Sequence, residues 1–90
     1  MDGELTWRAT LDGAPITIVT WLHGQWWTWR RVGVPRRGRP GTYGTALRAA
    51  ATALSRIRRD PHMHSLMRLE MLERELLAAN PERAREDKHG

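Results

Sequence analysis

Arginine supplies most of the chemistry this sequence can offer. Arg30, Arg31, Arg36, Arg37, Arg39, Arg48, Arg56, Arg58 and Arg59 fall between residues 30 and 59 with no acid among them, a block of +9. Residues 1–29 carry −2, from Arg8 against Asp2, Glu4 and Asp12, and residues 60–90 carry −2 as well, so the net charge is +5. A single-sign block creates a local positive potential, and the usual partners for it are nucleic-acid phosphates, an anionic membrane surface or an acidic protein. Drift toward Arg at surface positions would also raise the count, and Lys88 is the single lysine. Drift would have scattered arginines into the first block too.

The groups that could catalyse are poorly arranged for it. His62 and His64 stand two apart and point to different sides of a helix start, and with His23 and Asp60 they have no metal-ligand spacing. Ser55 and Ser65 lack any His and carboxylate set that spacing would suggest as a nucleophile's partners. The chain has no cysteine, so a thiolate zinc site and a disulfide framework are both excluded. The expectation is a protein that is not an enzyme, with no metal and no cofactor.

Two kinds of element must position the arginines. Leu5, Trp7, Ala9 and Leu11 alternate with Thr6, Arg8 and Thr10, the period of a half-buried strand over about 5–11. Asp12-Gly13 supplies a turn, Ile16–Leu22 is β-branched and aromatic, and His23-Gly24 marks a second turn before a strand over about 25–32. Two tight hairpins would set Trp7 against Ile18, Ala9 against Ile16, Trp21 against Trp26 and Ile18 against Trp29. One face then collects Leu5, Trp7, Ala9, Leu11, Ile16, Ile18, Leu22, Trp27 and Trp29. The other holds Thr6, Arg8, Thr10, Thr17, Val19, Trp21, Trp26, Thr28 and Arg30.

The apolar face needs a cover, and a helix over about 45–59 can provide it. Thr45 caps that helix, and Leu47, Ala50, Ala51, Leu54 and Ile57 share one side. Asp60-Pro61 reads as the cap and first turn of a second helix running over about 61–79, where Asn80-Pro81 stops it. That helix has a Met63, Met67, Met71 stripe and, on roughly the opposite side, Leu69, Leu72, Leu76 and Ala79. One stripe packs on the domain. Self-association of two copies through Leu69, Leu72 and Leu76 is the simplest use of the other, unless both are covered within the chain. The expected architecture is α+β, a three-stranded antiparallel meander on one helix followed by a second (β-β-β-α-α). It fills one domain over 1–80, with 81–90 a charged, flexible tail.

The connection over 33–44 is rich in residues that forbid regular structure. Within it Arg37-Gly38-Arg39-Pro40, after Pro35 and Arg36, resembles the core of an AT-hook. The resemblance implies an extended segment in the minor groove of A/T-rich DNA. There glycine allows close approach and the arginines enter a narrow, negative groove. Gly41 and Thr42 follow where that family commonly has further basic residues. The meander and a helix entered through Gly41-Thr42-Tyr43-Gly44-Thr45-Ala46 also loosely resemble the DNA-binding domains of plant ethylene-response factors and of integrase arm-binding domains. Those lay the open sheet face in the major groove, which by analogy makes Arg8, Trp21, Trp26 and Arg30 contacts.

These features together predict a small DNA-binding protein contacting duplex DNA through Arg8, Trp21, Trp26, Arg30, Arg31, Arg36, Arg37 and Arg39. The alternative is a protein-binding module, such as a phage or mobile-element inhibitor that uses the same Trp and Arg surface on an acidic host protein. No apolar stretch approaches a membrane span and the N-terminal residues do not read as a signal peptide, so a cytoplasmic location with no membrane partner is expected.

Overall fold

The computed structural model describes residues 3–35, 41–62 and 65–87. Leu5–Leu11 (β1), Ala14–His23 (β2) and Trp26–Arg31 (β3) form an antiparallel sheet in the order β1-β2-β3. Helices Ala46–Ile57 (α1), Leu66–Ala79 (α2) and Pro81–Asp87 (α3) follow, so the α+β class and the meander are as the alternation predicts. The AT-hook-like core and Arg36 lie outside the described residues, as do Met63 and His64.

The two hairpins differ in how they turn. Asp12 and Gly13 both have left-handed φ, 51° and 81°, the pair that a type I′ turn requires. Trp7 accordingly pairs with Ile18 and Ala9 with Ile16. In the second hairpin Gly24 alone is left-handed, at φ 65°, so the turn is Gly24-Gln25 and His23 belongs to β2. The expected register is therefore corrected by two residues. Trp21 lies opposite Thr28 and His23 opposite Trp26, while Thr20 rather than Ile18 faces Trp29. A turn with one left-handed residue places its glycine first, which spares His23 a positive φ. A two-residue shift preserves side-chain parity, so every residue stays on its expected face.

The odd-numbered residues of β1 and the even-numbered ones of β2 build the core. Trp7, Ile16, Ile18, Ala50, Ala51, Ala53, Leu54, Leu72 and Leu76 form one buried cluster. α1 lies mainly against β2 and β3, while α2 packs on α1 and reaches β1. Ala49, Ala50, Ala51 and Ala53 are fully buried, because small side chains are what allow α1 to press against the sheet and α2 at once. The Trp7 indole N–H donates to the buried Thr20 hydroxyl at 3.0 Å, which satisfies both polar atoms inside the cluster.

Three expectations about the helices are corrected. The second helix begins at Leu66, not at residue 61. Asp60 does cap, but it caps a turn: one carboxylate oxygen accepts from the His62 N–H at 2.8 Å and the other holds the Arg68 guanidinium. Ser65 is the N-cap of α2, its hydroxyl accepting from the Arg68 N–H at 3.3 Å. The stripe that packs is Leu69, Leu72 and Leu76, with Leu72 and Leu76 buried and Leu69 against the cluster. Its residues are thus spent inside the monomer, and Leu66, Met67 and Met71 are the exposed apolar residues of α2. Finally, residues 81–87 are not a loose tail; they form α3, which follows α2 directly.

Candidate nucleic-acid interface

The second face of the sheet carries Thr6, Arg8, Thr10, Thr17, Val19, Trp21, His23, Trp26, Thr28 and Arg30, by register. None of these is acidic, and none belongs to the cluster shared with the helices. Trp26 is 52% exposed and Trp21 is half-buried. Val19 and Thr28 are buried even here; their partners across the strands are Thr6 and Arg30 for Val19, and Trp21 for Thr28. Trp21 therefore covers sheet while Trp26, diagonal to it, stands at the hairpin end. The two indoles are not the direct cross-strand pair expected.

The arginines sort into two groups that the linear order mixes. Arg48 on α1 forms a two-pronged pair with Glu73 on α2, at 2.8 and 3.3 Å. Arg58, the C-cap of α1, pairs with Glu75 at 3.0 and 2.5 Å and donates to the Thr10 carbonyl at 3.0 and 3.1 Å. Two of the nine charges in the acid-free block are thus matched by acids that follow it in the chain. The Arg58 bond holds the Glu75 carboxyl below its ordinary range, and hydrogen bonds from Arg68 and the His62 backbone do the same for Asp60. Arg30, Arg31, Arg56 and Arg59 form no ion pair among the described residues.

Arg8 has a role other than the one expected of it. Its guanidinium pairs with Glu82 at 3.1 Å and donates to the Ala79 carbonyl at 3.3 Å, which ties the free edge of β1 to the start of α3. The Glu82 carboxyl is held down first by its own backbone N–H, with Arg8 adding to the effect. Arg31 stands opposite Ile18, on the helix side of the sheet, whereas Arg30 is on the open side. Of the expected contacts, the structure groups Trp21, Trp26 and Arg30. Arg31 sits on the other face, where β3 ends and the basic connection begins.

Asn80 was not legible as more than a helix stop. It is fully buried; its Oδ1 accepts from the Arg8 N–H at 2.8 Å and its Nδ2 donates to the Arg8 carbonyl at 3.0 Å and to Leu76 at 2.8 Å. One side-chain amide thereby takes the place of a neighbouring strand and closes the β1 edge. On the opposite edge Tyr43 exchanges both backbone bonds with Trp27, at 2.8 and 3.0 Å. The basic connection leaves the sheet after Arg31 and rejoins it at that bridge.

No protein-family model matches the chain, and no curated protein or solved structure matches it significantly. Among the described residues no helix is long and apolar enough to cross a membrane, and no three His, Asp or Glu residues are grouped as a metal set would need.

Proposed function

We propose that this chain is a non-enzymatic DNA-binding protein that lays its open sheet face, with the basic connection beside it, against the duplex. The observation that carries the reading is a sheet face without an acid on its strands and outside the cluster shared with the helices, where a half-exposed Trp26 shares a strand with Arg30, which forms no ion pair among the described residues. Trp26 and Trp21 offer indole surface to sugars and bases, and Arg30 with Thr6, Thr10 and Thr17 offers donors to phosphates. Arg31, Arg36, Arg37 and Arg39 add four more positive charges to the chain just after Arg30. A/T-rich sites suit the arginines flanking Gly38 best, because a narrow minor groove concentrates negative potential.

Salt dependence tests this. Five phosphate contacts, from Arg30, Arg31, Arg36, Arg37 and Arg39, give a log–log slope of binding against salt of about −4.5 with random-sequence duplex. Replacing Arg37 and Arg39 by alanine flattens the slope by about 1.8. A slope near zero overturns the proposal. Capture of an acidic protein without any DNA binding would assign the same Trp and Arg surface to a protein partner instead.

A further inference from the structure

The outer face of α2 is apolar where a surface helix is ordinarily polar. Met67 is 73% exposed, more than any other large apolar side chain among the described residues, and Leu66 and Met71 are exposed beside it. At about 100° per residue, Met67, Met71, Arg74 and Ala78 fall within about 60° of one another, forming a stripe opposite the buried Leu72 and Leu76. A hollow of about 190 Å³ lies beside this stripe, lined by Met67, Met71, His62, Ser65 and Arg68. The charges of α2 are divided. Of its five charged residues, Arg68 is held by Asp60, Glu73 by Arg48 and Glu75 by Arg58. Glu70 and Arg74, both exposed, form no ion pair among the described residues, either with each other or with another group. Glu70 acts on Arg48 only through its field, since the hydrogen-bonded partner of Arg48 is Glu73.

From this placement we infer that the stripe is the contact between two copies of the chain, paired α2 against α2 in antiparallel sense. The two uncommitted charges select both the occupant and its direction. Glu70 and Arg74 lie equally far along the helix on either side of Leu72, so a two-fold axis there sets Glu70 of each copy opposite Arg74 of the other. The same axis brings the two Met71 side chains together and lays Met67 against Ala78 of the other copy. Both charges are on one flank of the stripe, and an antiparallel pair turns like flanks toward each other. A parallel copy would turn the other flank, with Glu75, toward Glu70. Methionine suits such a contact because its three rotatable bonds let it refill the hollow from either copy. A stripe of about three turns buries less than a standard interface, so the dimer is weak, with a Kd on the order of 100 µM. The inference does not rest on the DNA reading, because α2 packs on α1 within the cluster on the core side of the sheet.

Sedimentation equilibrium of the full chain, without DNA, is the test. The parent is mostly monomer at about 10 µM and mostly dimer at about 1 mM. Glu70→Arg sets arginine against Arg74 of the other copy at both ends of the contact and weakens association about tenfold, and Arg74→Glu does the same with two acids. Combining the two substitutions recreates both pairs with their signs exchanged and returns the Kd to within about threefold of the parent. That recovery separates a specific antiparallel contact from general stickiness of the methionines. Met71→Glu brings two carboxylates together at the axis and abolishes association, while its amide spectrum keeps the dispersion of the folded monomer because the side chain is exposed. The inference is overturned if the parent stays monomeric at about 1 mM, which would leave the stripe to a different partner. It is equally overturned if the double variant associates no better than the single ones, or if Met71→Glu associates like the parent.

Discussion

The two faces of this sheet use tryptophan in opposite ways. Beneath it Trp7 is 2% exposed, its indole N–H bonded to Thr20 and its ring inside a cluster shared with α1 and α2. Above it Trp26 is 52% exposed and outside that cluster. The difference teaches that the fold has a complete core without the upper indoles. The exposed Trp26 indole is the surface that the proposed DNA contact would use.

The widest contrast comes from truncating one tryptophan on each side. Trp7→Ala leaves a cavity and an unpaired Thr20 hydroxyl, and costs about 3–5 kcal/mol in urea unfolding. A domain this small would be left largely unfolded. Trp26→Ala stays within about 1 kcal/mol of the parent yet weakens DNA binding about tenfold, as expected for the loss of one stacking indole. Equal destabilisation by the two would remove the distinction between a packing face and a display face.

Asn80→Ala tests the edge that separates those faces. The amide satisfies Arg8 on both backbone atoms, so its removal exposes the β1 edge and costs about 2–3 kcal/mol. Faster amide exchange should be concentrated in β1 and α3, where the lost bonds were. A change spread evenly over the molecule would mean that Asn80 matters only as the end of α2.

Much of this was written locally and some of it was not. The strands followed from alternation at Leu5–Leu11 and from β-branched residues in β2, and the face of each residue survived a register error because that error was even. The error arose at Gly24, where two overlapping two-residue turns were compatible with the pattern and only backbone φ chose between them. Asp60-Pro61 carries a helix-start signature, yet Asp60 is committed to Arg68 and His62, so the helix waits for Ser65. Periodicity marked both stripes of α2 as apolar, but which one packs depends on where α1 lies. Arg8 and Glu82 are 74 residues apart, and no local rule pairs them. The candidate site was legible as composition, an acid-free arginine block with tryptophan nearby. Its division into paired and unpaired cations was a property of the tertiary arrangement.

A smaller effect probes the packed side alone. Ser55 is fully buried on α1, and its hydroxyl oxygen has no hydrogen-bond partner among the described residues. Ser55→Ala removes an unsatisfied polar atom at little change in volume, and raises stability by about 1 kcal/mol. DNA affinity stays unchanged, since the residue is inside the helix layer. A loss of stability would show that the hydroxyl is satisfied after all and that this layer is less dry than its neighbours indicate.

The smallest expected effect bears on which arginines belong to the display face. Arg59 terminates α1 with φ 54°, and the Asp60 N–H reaches back to the Ser55 carbonyl at 2.9 Å while its own N–H bonds Arg56 at 3.1 Å. That closure is the Schellman pattern, whose left-handed position is usually glycine because a Cβ is strained there. Arg59→Gly relieves the strain and stabilises the chain by about 0.5–1 kcal/mol in the same urea measurement. Its influence on binding is the sharper readout. Arg59 directly follows the C-cap of α1, the helix that packs on the core side of the sheet, so if DNA meets only the open face and the basic connection, the salt slope of Arg59→Gly equals that of the parent. A slope flatter by about 0.9 would add one phosphate contact at the end of α1. The interface would then extend from the open face to the end of α1.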